Sequence, residues 1–433
     1  MLEPAVEALP WAQQAAADDA AYRGQLAYLF ARSPFYRETL AQAGFATADA
    51  AGGLADIAQL PLTEKAELKA TCTAANPVGA HLCADPADVV RVFSTSGTTG
   101  TPSYIPLTAR DLANWVAGSA RSYAASGLAA GHRLVSTFNA GPFVAGAALA
   151  AFDRIGVCHI PVGTGNTDRL LRAVELLRPD AVAVTPSYAA HLVERAADQG
   201  VDLAGSTVAR VLVAGEPGGG EPAFRAALEA GWGATVTEAM GIGDIGPSLW
   251  GECEAQDGMH LGARGFVHAE LIDPATGAAV PLEGGASGEL VLTHLRHEAA
   301  PLLRFRTRDH VEVMAGPCQC GRTGPRVRCR GRTDDMLIVR GVNVFPSAIR
   351  EVVAGFAPAV SGHVRVRPTA PGVKQEPPLP VRVELARGDA HDAALADAIR
   401  EKLRAALVVQ VSVELVPWGS LGRSEYKSKL VER

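Results

Sequence analysis

Apolar positions between Ser94 and Glu238 fall into two alternating patterns: short crowded runs, and longer stretches in which they recur every three or four residues. Arg133 to Phe138, Val157 to Ile160, Ala181 to Thr185 and Val208 to Val213 read as strands. Between two of them, residues 167–178 place Leu170, Leu171, Val174 and Leu177 on one face of a helix. Thr167 can cap that helix, Asp168 suits its positive end, and Pro179 stops it. Strand alternating with amphipathic helix predicts an α/β fold, with mostly parallel sheets covered by helices. Ligands of such sheets gather at the loops beyond the strand C-termini, which draws attention to the segments after Phe93 and Val213.

A second pattern begins after Arg330-Gly331-Arg332-Thr333-Asp334-Asp335. A strand (336–339), a helix (347–356), a Pro-rich connection (368–380), a strand (381–385), a helix (393–407) and a strand (411–416) make a small α+β domain. The division expected is therefore a large domain over 1–333 and a small one over 334–433. The tail Ser420 to Lys429 is polar and contains glycine, so it reads as a loop, with an ordinary solvated end as its plainest meaning.

With 433 residues and 48% apolar positions, the chain can bury one or two large cores. Its formal charge of −6 argues against a general nucleic-acid or membrane-surface binder and in favour of small-molecule partners. The start, Met1-Leu2-Glu3-Pro4, lacks a basic leader, and the longest apolar stretch, 144–152, is far short of a membrane span. A cytoplasmic location is expected. Seven scattered cysteines fit reduced thiols better than a disulfide framework.

Candidate chemistry concentrates in Ser94-Thr95-Ser96-Gly97-Thr98-Thr99-Gly100-Thr101-Pro102-Ser103. Glycines let backbone N–H groups face an anion, and hydroxyls add uncharged donors, so the run suits a phosphate. Strand-like segments on both sides (89–93 and 104–107) make it a strand-to-strand loop. Neither the G-x-x-x-x-G-K-[ST] loop nor the G-x-G-x-x-G fingerprint, each of which opens a helix, is present. A mobile surface turn is the bland alternative, and the density of glycine and hydroxyl residues makes it the weaker one.

This loop and seven further segments, in order, resemble the adenylate-forming superfamily and most closely its phenylacetate-CoA ligase branch. They are Ser33-Pro34-Phe35-Tyr36-Arg37, Val184-Thr185-Pro186-Ser187-Tyr188, Gly215-Glu216-Pro217, Arg304-Phe305-Arg306-Thr307-Arg308-Asp309, Gly331-Arg332-Thr333-Asp334-Asp335, Arg340-Gly341-Val342-Asn343-Val344-Phe345-Pro346 and Arg423-Ser424-Glu425-Tyr426-Lys427. The resemblance covers nearly the whole chain. It implies that a carboxylate attacks the α-phosphate of MgATP to give acyl-AMP and pyrophosphate, after which the thiol of CoA displaces AMP. The small C-terminal domain is then a mobile lid that turns between the two half-reactions.

The same resemblance implies residue roles. Lys427 matches the catalytic lysine that bridges the acyl carboxylate and the α-phosphate, with Thr95 and Asp244 beside it in the catalytic set. Ser94, Thr95, Ser96, Gly97, Thr98, Thr99, Gly100, Gly215, Glu216, Pro217, Glu238, Ala239, Met240, Gly241, Asp309 and Arg332 match nucleotide-binding positions. Asp309 would accept from the ribose hydroxyls, where its plainer role is an ion pair with a nearby Arg. Arg332 and Asp334 match the hinge, and Asp334, Arg340, Gly341 and Asn343 the CoA-facing segment. Phe138, Gly141, Phe143, Ala214, Gly241 and Pro247 match the acyl pocket, although Phe138 and Phe143 each read nearly as well as core residues. Asn139 could meet a polar ring substituent, so a hydroxy- or amino-benzoate fits as well as phenylacetate.

The chain departs from the superfamily pattern at three positions. Thr101 stands where a lysine is usual, Met240 where a tyrosine stacks on adenine, and Asp244 where a glutamate helps hold Mg²⁺. A carboxylate at Asp244 is one methylene shorter and can act through water.

Cys253, His260 (C-x6-H), Cys318 and Cys320 (C-x-C-G) make a Cys3His set of the closed, structural kind that zinc prefers. Some members of the branch carry a similar zinc. Cys329 is a substitute ligand, and the nearby arginines 322, 326, 328 and 330 raise a zinc-ribbon reading that the acidic whole argues against.

The leading expectation is an aryl-acid CoA ligase using ATP, Mg²⁺ and CoA with a structural zinc. A close competitor loads an aryl acid onto a carrier-protein thiol, and a third reading is a zinc-stabilised, non-catalytic nucleotide-binding protein. Partners are the aryl carboxylate, ATP and CoA, with a carrier protein as alternative acceptor, a homodimer allowed, and neither nucleic acid nor membrane.

Overall fold

The computed structural model describes residues 1–95, 102–138, 140–141, 144–340, 342–388, 393–423 and 429–432. The chain divides into two compact units, one of residues 1–163, 237–307 and 312–328, the other of 164–236, 308–311 and 329–433. Among the described residues no helix is long and apolar enough to cross a membrane.

In the first unit, strands Arg133–Ser136 and Cys158–Pro161 pair in parallel, with Leu134 opposite His159, through the helix Ala148–Ile155. That helix stops at Gly156, whose φ of 85° is the left-handed cap that glycine adopts without strain. The expected parallel order thus holds where a helix connects two strands. Where only three residues intervene, as between Thr235–Ile242 and Gly246–Glu252, the strands must reverse, and Met240 faces Trp250 in an antiparallel hairpin. Met259–Leu261 extends that hairpin antiparallel, and Val267–Ile272 runs antiparallel to Ser287–His294. The sheet structure is therefore mixed.

The strands Val89–Ser94 and Tyr104–Thr108 form an antiparallel hairpin, Ser94 opposite Tyr104. The phosphate-type loop does join strand to strand. The apolar side of the two strands closes a small core of Phe93, Ile105, Leu107 and Trp115, the rings of Phe93 and Trp115 stacked at 6.1 Å. Trp115 belongs to the helix Ala109–Ala125, whose N-cap Thr108 and N3 residue Asp111 satisfy each other's backbone N–H groups. Asp111 also lies 3.4 Å from Nδ1 of His297, a buried ring stacked at 4.1 Å on that of His294.

In the second unit, Ala181–Val184 and Arg210–Ala214 pair in parallel beside the helices Thr167–Leu177, Pro186–Gln199 and Pro222–Trp232. Thr167 does not cap its helix as expected; Asn166 takes the N-cap position, and the Thr167 hydroxyl instead lies 2.9 Å from that of Tyr188. Residues 337–415 hold a core of their own, in which Ile349, Val364, Val381, Val383, Ile399 and Leu403 are fully buried. There Leu379–Leu385 runs antiparallel to Val360–Val366 and parallel to Val411–Val416, under the helices Pro346–Ala354 and Ala393–Leu407.

Candidate active site

Three polar side chains of the first unit meet at the mouth of the Ser/Thr/Gly loop. Lys65 Nζ lies 2.7 Å from Asp244 Oδ2 and 3.3 Å from Thr95 Oγ1. Each is brought there by a separate piece of backbone. Lys65 opens the helix Lys65–Ala70, whose N-cap Glu64 donates its N–H to the Glu67 carboxylate and whose approach is fixed by Thr63 bonding Leu303 and Arg304. Arg306 anchors Glu64 at 3.1 Å while held by Glu289 at 2.8 Å. Asp244 sits in the three-residue turn of the hairpin, closed by Ile245 N–H on the Ile242 carbonyl at 2.8 Å. Thr95 follows its strand directly and donates its N–H to the Ser103 carbonyl at 3.0 Å.

This cluster is reachable. The Lys65 side chain is 36% exposed and that of Asp244 17%, so a ligand can replace either partner without unfolding the site. His81 is buried nearby: burial pushes its imidazole down to about 4, the Asp244 charge opposes this, and Nδ1 has no partner among the described residues. Lys65 and His81 were not among the residues expected from the sequence, because neither belongs to a run that signals chemistry. Residues 96–101, including Gly97, Gly100 and Thr101, lie outside the described residues.

Around the hairpin, Glu238 is buried with its N–H on Glu252 Oε2 at 3.1 Å, and Ala239 faces Gly251. Gly241 sits where the register shifts, and a Cβ there would stand 2.0 Å from the Pro247 carbonyl oxygen. Only glycine lets these two backbones approach so closely. The Phe138 ring stacks on the buried Phe152 at 6.1 Å and 3°, leaving one face uncommitted by that contact. Gly141 is partly exposed, while Asn139, Pro142 and Phe143 lie outside the described residues.

In the second unit, Gly215, Glu216 and Pro217 follow the strand Arg210–Ala214, as the α/β rule expects. Glu216 Oε1 accepts from Ser187 N at 2.8 Å, at the start of the helix Pro186–Gln199. Arg332 grips Asp334 with two hydrogen bonds, 2.8 and 2.7 Å, and lies 3.8 Å from Asp309. Although burial opposes it, these carboxylates hold the guanidinium firmly in its charged form. Arg340 (φ 49°) and Asn343 are exposed on the hairpin of Leu337–Val339 with Val342–Val344. Gly341 and Lys427 lie outside the described residues.

The Cys3His set comes together in the first unit. Cys253 follows the strand Gly246–Glu252, His260 lies on Met259–Leu261, and Cys318 and Cys320 come from one turn closed by Gly321 N–H on the Cys318 carbonyl. All four donor atoms lie within 4.8 Å of one another, with Cys253 Sγ 3.6 Å from Cys318 Sγ and Cys320 Sγ 3.4 Å from His260 Nε2. Burial pushes the Cys253 thiol up to about 12 and the His260 imidazole down to about 4. Cys329 is not in the set.

The AMP-binding enzyme family model matches residues 28–294, and that of the AMP-binding enzyme C-terminal domain matches residues 341–432. Phenylacetate-coenzyme A ligase of Thermus thermophilus is 34% identical over an alignment that covers 98% of this chain and 97% of its own. The protein of the same name from Escherichia coli is 31% identical, covering 93% of this chain and 91% of its own. Among solved structures, 2-hydroxyisobutyryl-CoA ligase in the postadenylation state, in complex with R3-HIB-AMP, superposes with a TM-score of 0.90 at 27% identity, over 99% of this chain and 91% of its own. The likeness therefore spans both units rather than one shared domain.

Proposed function

Because the chain belongs to the AMP-binding enzyme family, in its phenylacetate-CoA ligase branch, we propose that it is an AMP-forming acid–CoA ligase whose acid is an aryl carboxylate. The acid is of the benzoate, anthranilate or phenylacetate type, and it passes through acyl-AMP to the CoA thioester. The observation that carries the reading is the Lys65, Thr95 and Asp244 cluster at the mouth of the phosphate-type loop.

Adenylation brings a carboxylate up to a polyanion, so fixed cations and N–H donors must offset repulsion as water leaves. Thr101 supplies no charge to the loop. Lys65 takes over that duty: its ammonium has three donors and can turn from Asp244 to phosphate oxygens, while Thr95 donates its hydroxyl. Asp244 would hold the magnesium that ATP carries, which neutralises phosphate charge when bound. Glu238, Ala239, Met240 and Gly241 are assigned to the nucleotide, as are Gly215, Glu216, Pro217, Asp309 and Arg332. Lys427 is assigned to the acyl carboxylate and α-phosphate on the strength of its motif.

Phe138, Gly141, Gly241 and Pro247 are assigned to the acyl slot, together with Ala214. The support is the stacked pair Phe138 and Phe152, a preformed aromatic wall, and the pinched backbone at Gly241. Arg340 and Asn343 are assigned to CoA. The small domain over 334–433, with its own core, is assigned the lid role.

The Cys3His set is assigned a structural zinc. A tetrahedral zinc with bonds of about 2.3 Å to sulfur and about 2.0 Å to nitrogen has edges of about 3.8 and about 3.5 Å. The observed 3.6 and 3.4 Å are close to these. With four protein donors no open position is left, so the metal would brace the turn rather than touch the acid.

A pyrophosphate-release assay with benzoates, arylacetates and 2-hydroxyisobutyrate, using CoA or a phosphopantetheinylated carrier as acceptor, tests the reading. An aryl acid should exceed 2-hydroxyisobutyrate by at least about 10-fold in kcat/KM, a margin a shaped apolar slot supplies. A preference for the small hydroxy acid would overturn the aryl assignment, and absence of AMP with every acid the ligase assignment.

A further inference from the structure

Within the second unit, residues 164–236 and residues 334–433 meet through ion pairs of one polarity. In the four pairs that follow, the carboxylate lies on the earlier segment and the cation on the later one. Glu194, on the helix Pro186–Gln199, takes Arg423 Nε at 3.0 Å and Nη2 at 3.2 Å, and His363 Nε2 at 3.2 Å. One turn on, Asp198 pairs with Arg387. Glu221, at the N-cap of the helix Pro222–Trp232, takes Arg350 Nε at 3.0 Å and Nη2 at 2.8 Å. A carboxylate of the later segment meets a helix end instead: Glu351 accepts from Ala223 N at 2.8 Å, where the helix dipole favours an anion.

Two of these arginines reach further. Arg350 Nη2 also donates to the Pro217 carbonyl at 2.6 Å, within the Gly215-Glu216-Pro217 motif, and its guanidinium covers the Phe224 ring at 4.7 Å. Gly218 leaves the room for it, since a Cβ there would stand 2.9 Å from that same Nη2. Arg423 is tied on its other side to the fully buried Glu384 at 2.8 Å, and its guanidinium lies over the Trp418 ring at 4.5 Å. It opens the Arg423-Ser424-Glu425-Tyr426-Lys427 motif, four positions before the catalytic lysine. Any turn of 334–433 about Arg332 to Asp334 must break all of these pairs, because their partners stand on opposite sides of that hinge.

We propose that Arg423 and Arg350 are positioning residues for the first half-reaction alone, forming with Glu194 and Glu221 a clasp that sets the chain entering the Lys427 motif for adenylation and must open for thioester formation. The proposal rests on the acid–CoA ligase reading for its two half-reactions, but the clasp itself does not.

The test uses the full chain and the variants Glu194→Gln, Glu221→Gln and the double variant, each keeping shape while removing charge, with Glu194→Asp as the conservative control. Hydrogen-exchange mass spectrometry comes first. Exchange in 222–226 and 411–423 should quicken by about 10-fold in the double variant, as loss of about 1.4 kcal/mol of local closure requires. Unchanged exchange overturns the clasp whatever the activity. The half-reactions are then separated. Acid-dependent ATP–pyrophosphate exchange should fall about 10-fold in the double variant while CoA-dependent consumption of supplied phenylacetyl-AMP stays level or rises, and Glu194→Asp should recover much of the exchange activity. An equal fall in both half-reactions marks a structural role and overturns the positioning assignment. A wild-type chain with neither half-reaction overturns the ligase reading and the first-half-reaction assignment with it, leaving the exchange result to decide the clasp.

Discussion

Replacing Lys65 by Met separates a stabilising ion pair from a catalytic cation. At 2.7 Å, a Lys65–Asp244 pair in water-like surroundings is worth about 1.5 kcal/mol by Coulomb's law. With the lysine 36% exposed, side-chain entropy and screening reduce its net contribution to at most about 1 kcal/mol. In a chain of 433 residues that moves the thermal midpoint by no more than about 2 °C. The transition state for adenylation loses much more. On the proposed role the ammonium would face phosphate charge there with water partly displaced, and removal of one preorganised donor costs about 10²- to 10³-fold in rate, or about 3–4 kcal/mol. The assay is acid-dependent ATP–pyrophosphate exchange at saturating and limiting ATP, beside a thermal melt. We expect exchange to fall by about two orders of magnitude with the melt nearly unmoved. Exchange within about 3-fold of the parent would refute the phosphate role, and a large drop in melting temperature would show Lys65 to be holding the fold.

Three further outcomes follow from other parts of the molecule. Cys318→Ser should lower zinc content by elemental analysis from about one per chain to near none, with earlier unfolding, because a closed four-donor site contributes its binding energy to folding. Burial holds His81 near 4 and His297 near 3, below the ordinary 6.5, so the unfolded chain binds more protons between those values and stability is complete only above about pH 6.5. Denaturant melts should therefore weaken by about 1.4 kcal/mol per pH unit per histidine as pH falls toward about 5, and a flat profile would contradict their burial. Gly241→Ala forces a methyl to within 2.0 Å of the Pro247 carbonyl oxygen, so it should cost about 1–3 kcal/mol of stability and alter acid preference; an unperturbed melt would mean the hairpin yields freely.

Elements with strong period were legible in the sequence. The strands near 133, 158, 181 and 210 and the helices over 167–177 and 393–407 emerge close to where the apolar spacing puts them. The N-terminal helix Trp11–Arg32 was not legible, since its buried face mixes Tyr22, Leu26 and Leu29 with Gln14, Asp18 and Gln25, and Gln25 meets the His297 carbonyl only after folding. Strand Val360–Val366 is hidden because Ser361, Gly362 and His363 break its alternation, and the structure absorbs them in a register shift. In the site, Asp244 could be found from its motif, whereas Lys65 could not: a lone lysine on a six-residue helix acquires meaning only from the 179 positions of chain that fold back to bring Asp244 to it.

The hydrogen bond from Ser187 N to Glu216 bears on how such chains can be altered. It welds the Val184 to Tyr188 segment and the Gly215 to Pro217 segment, which look like independent modules when written as text, into one mechanical part. Neither is exchanged for a counterpart from a relative without regard to the other, since a mismatched pair takes this acceptor from the Ser187 amide. Efforts to shift acid specificity by grafting loops should treat residues 184–188 and 214–217 as a single cassette.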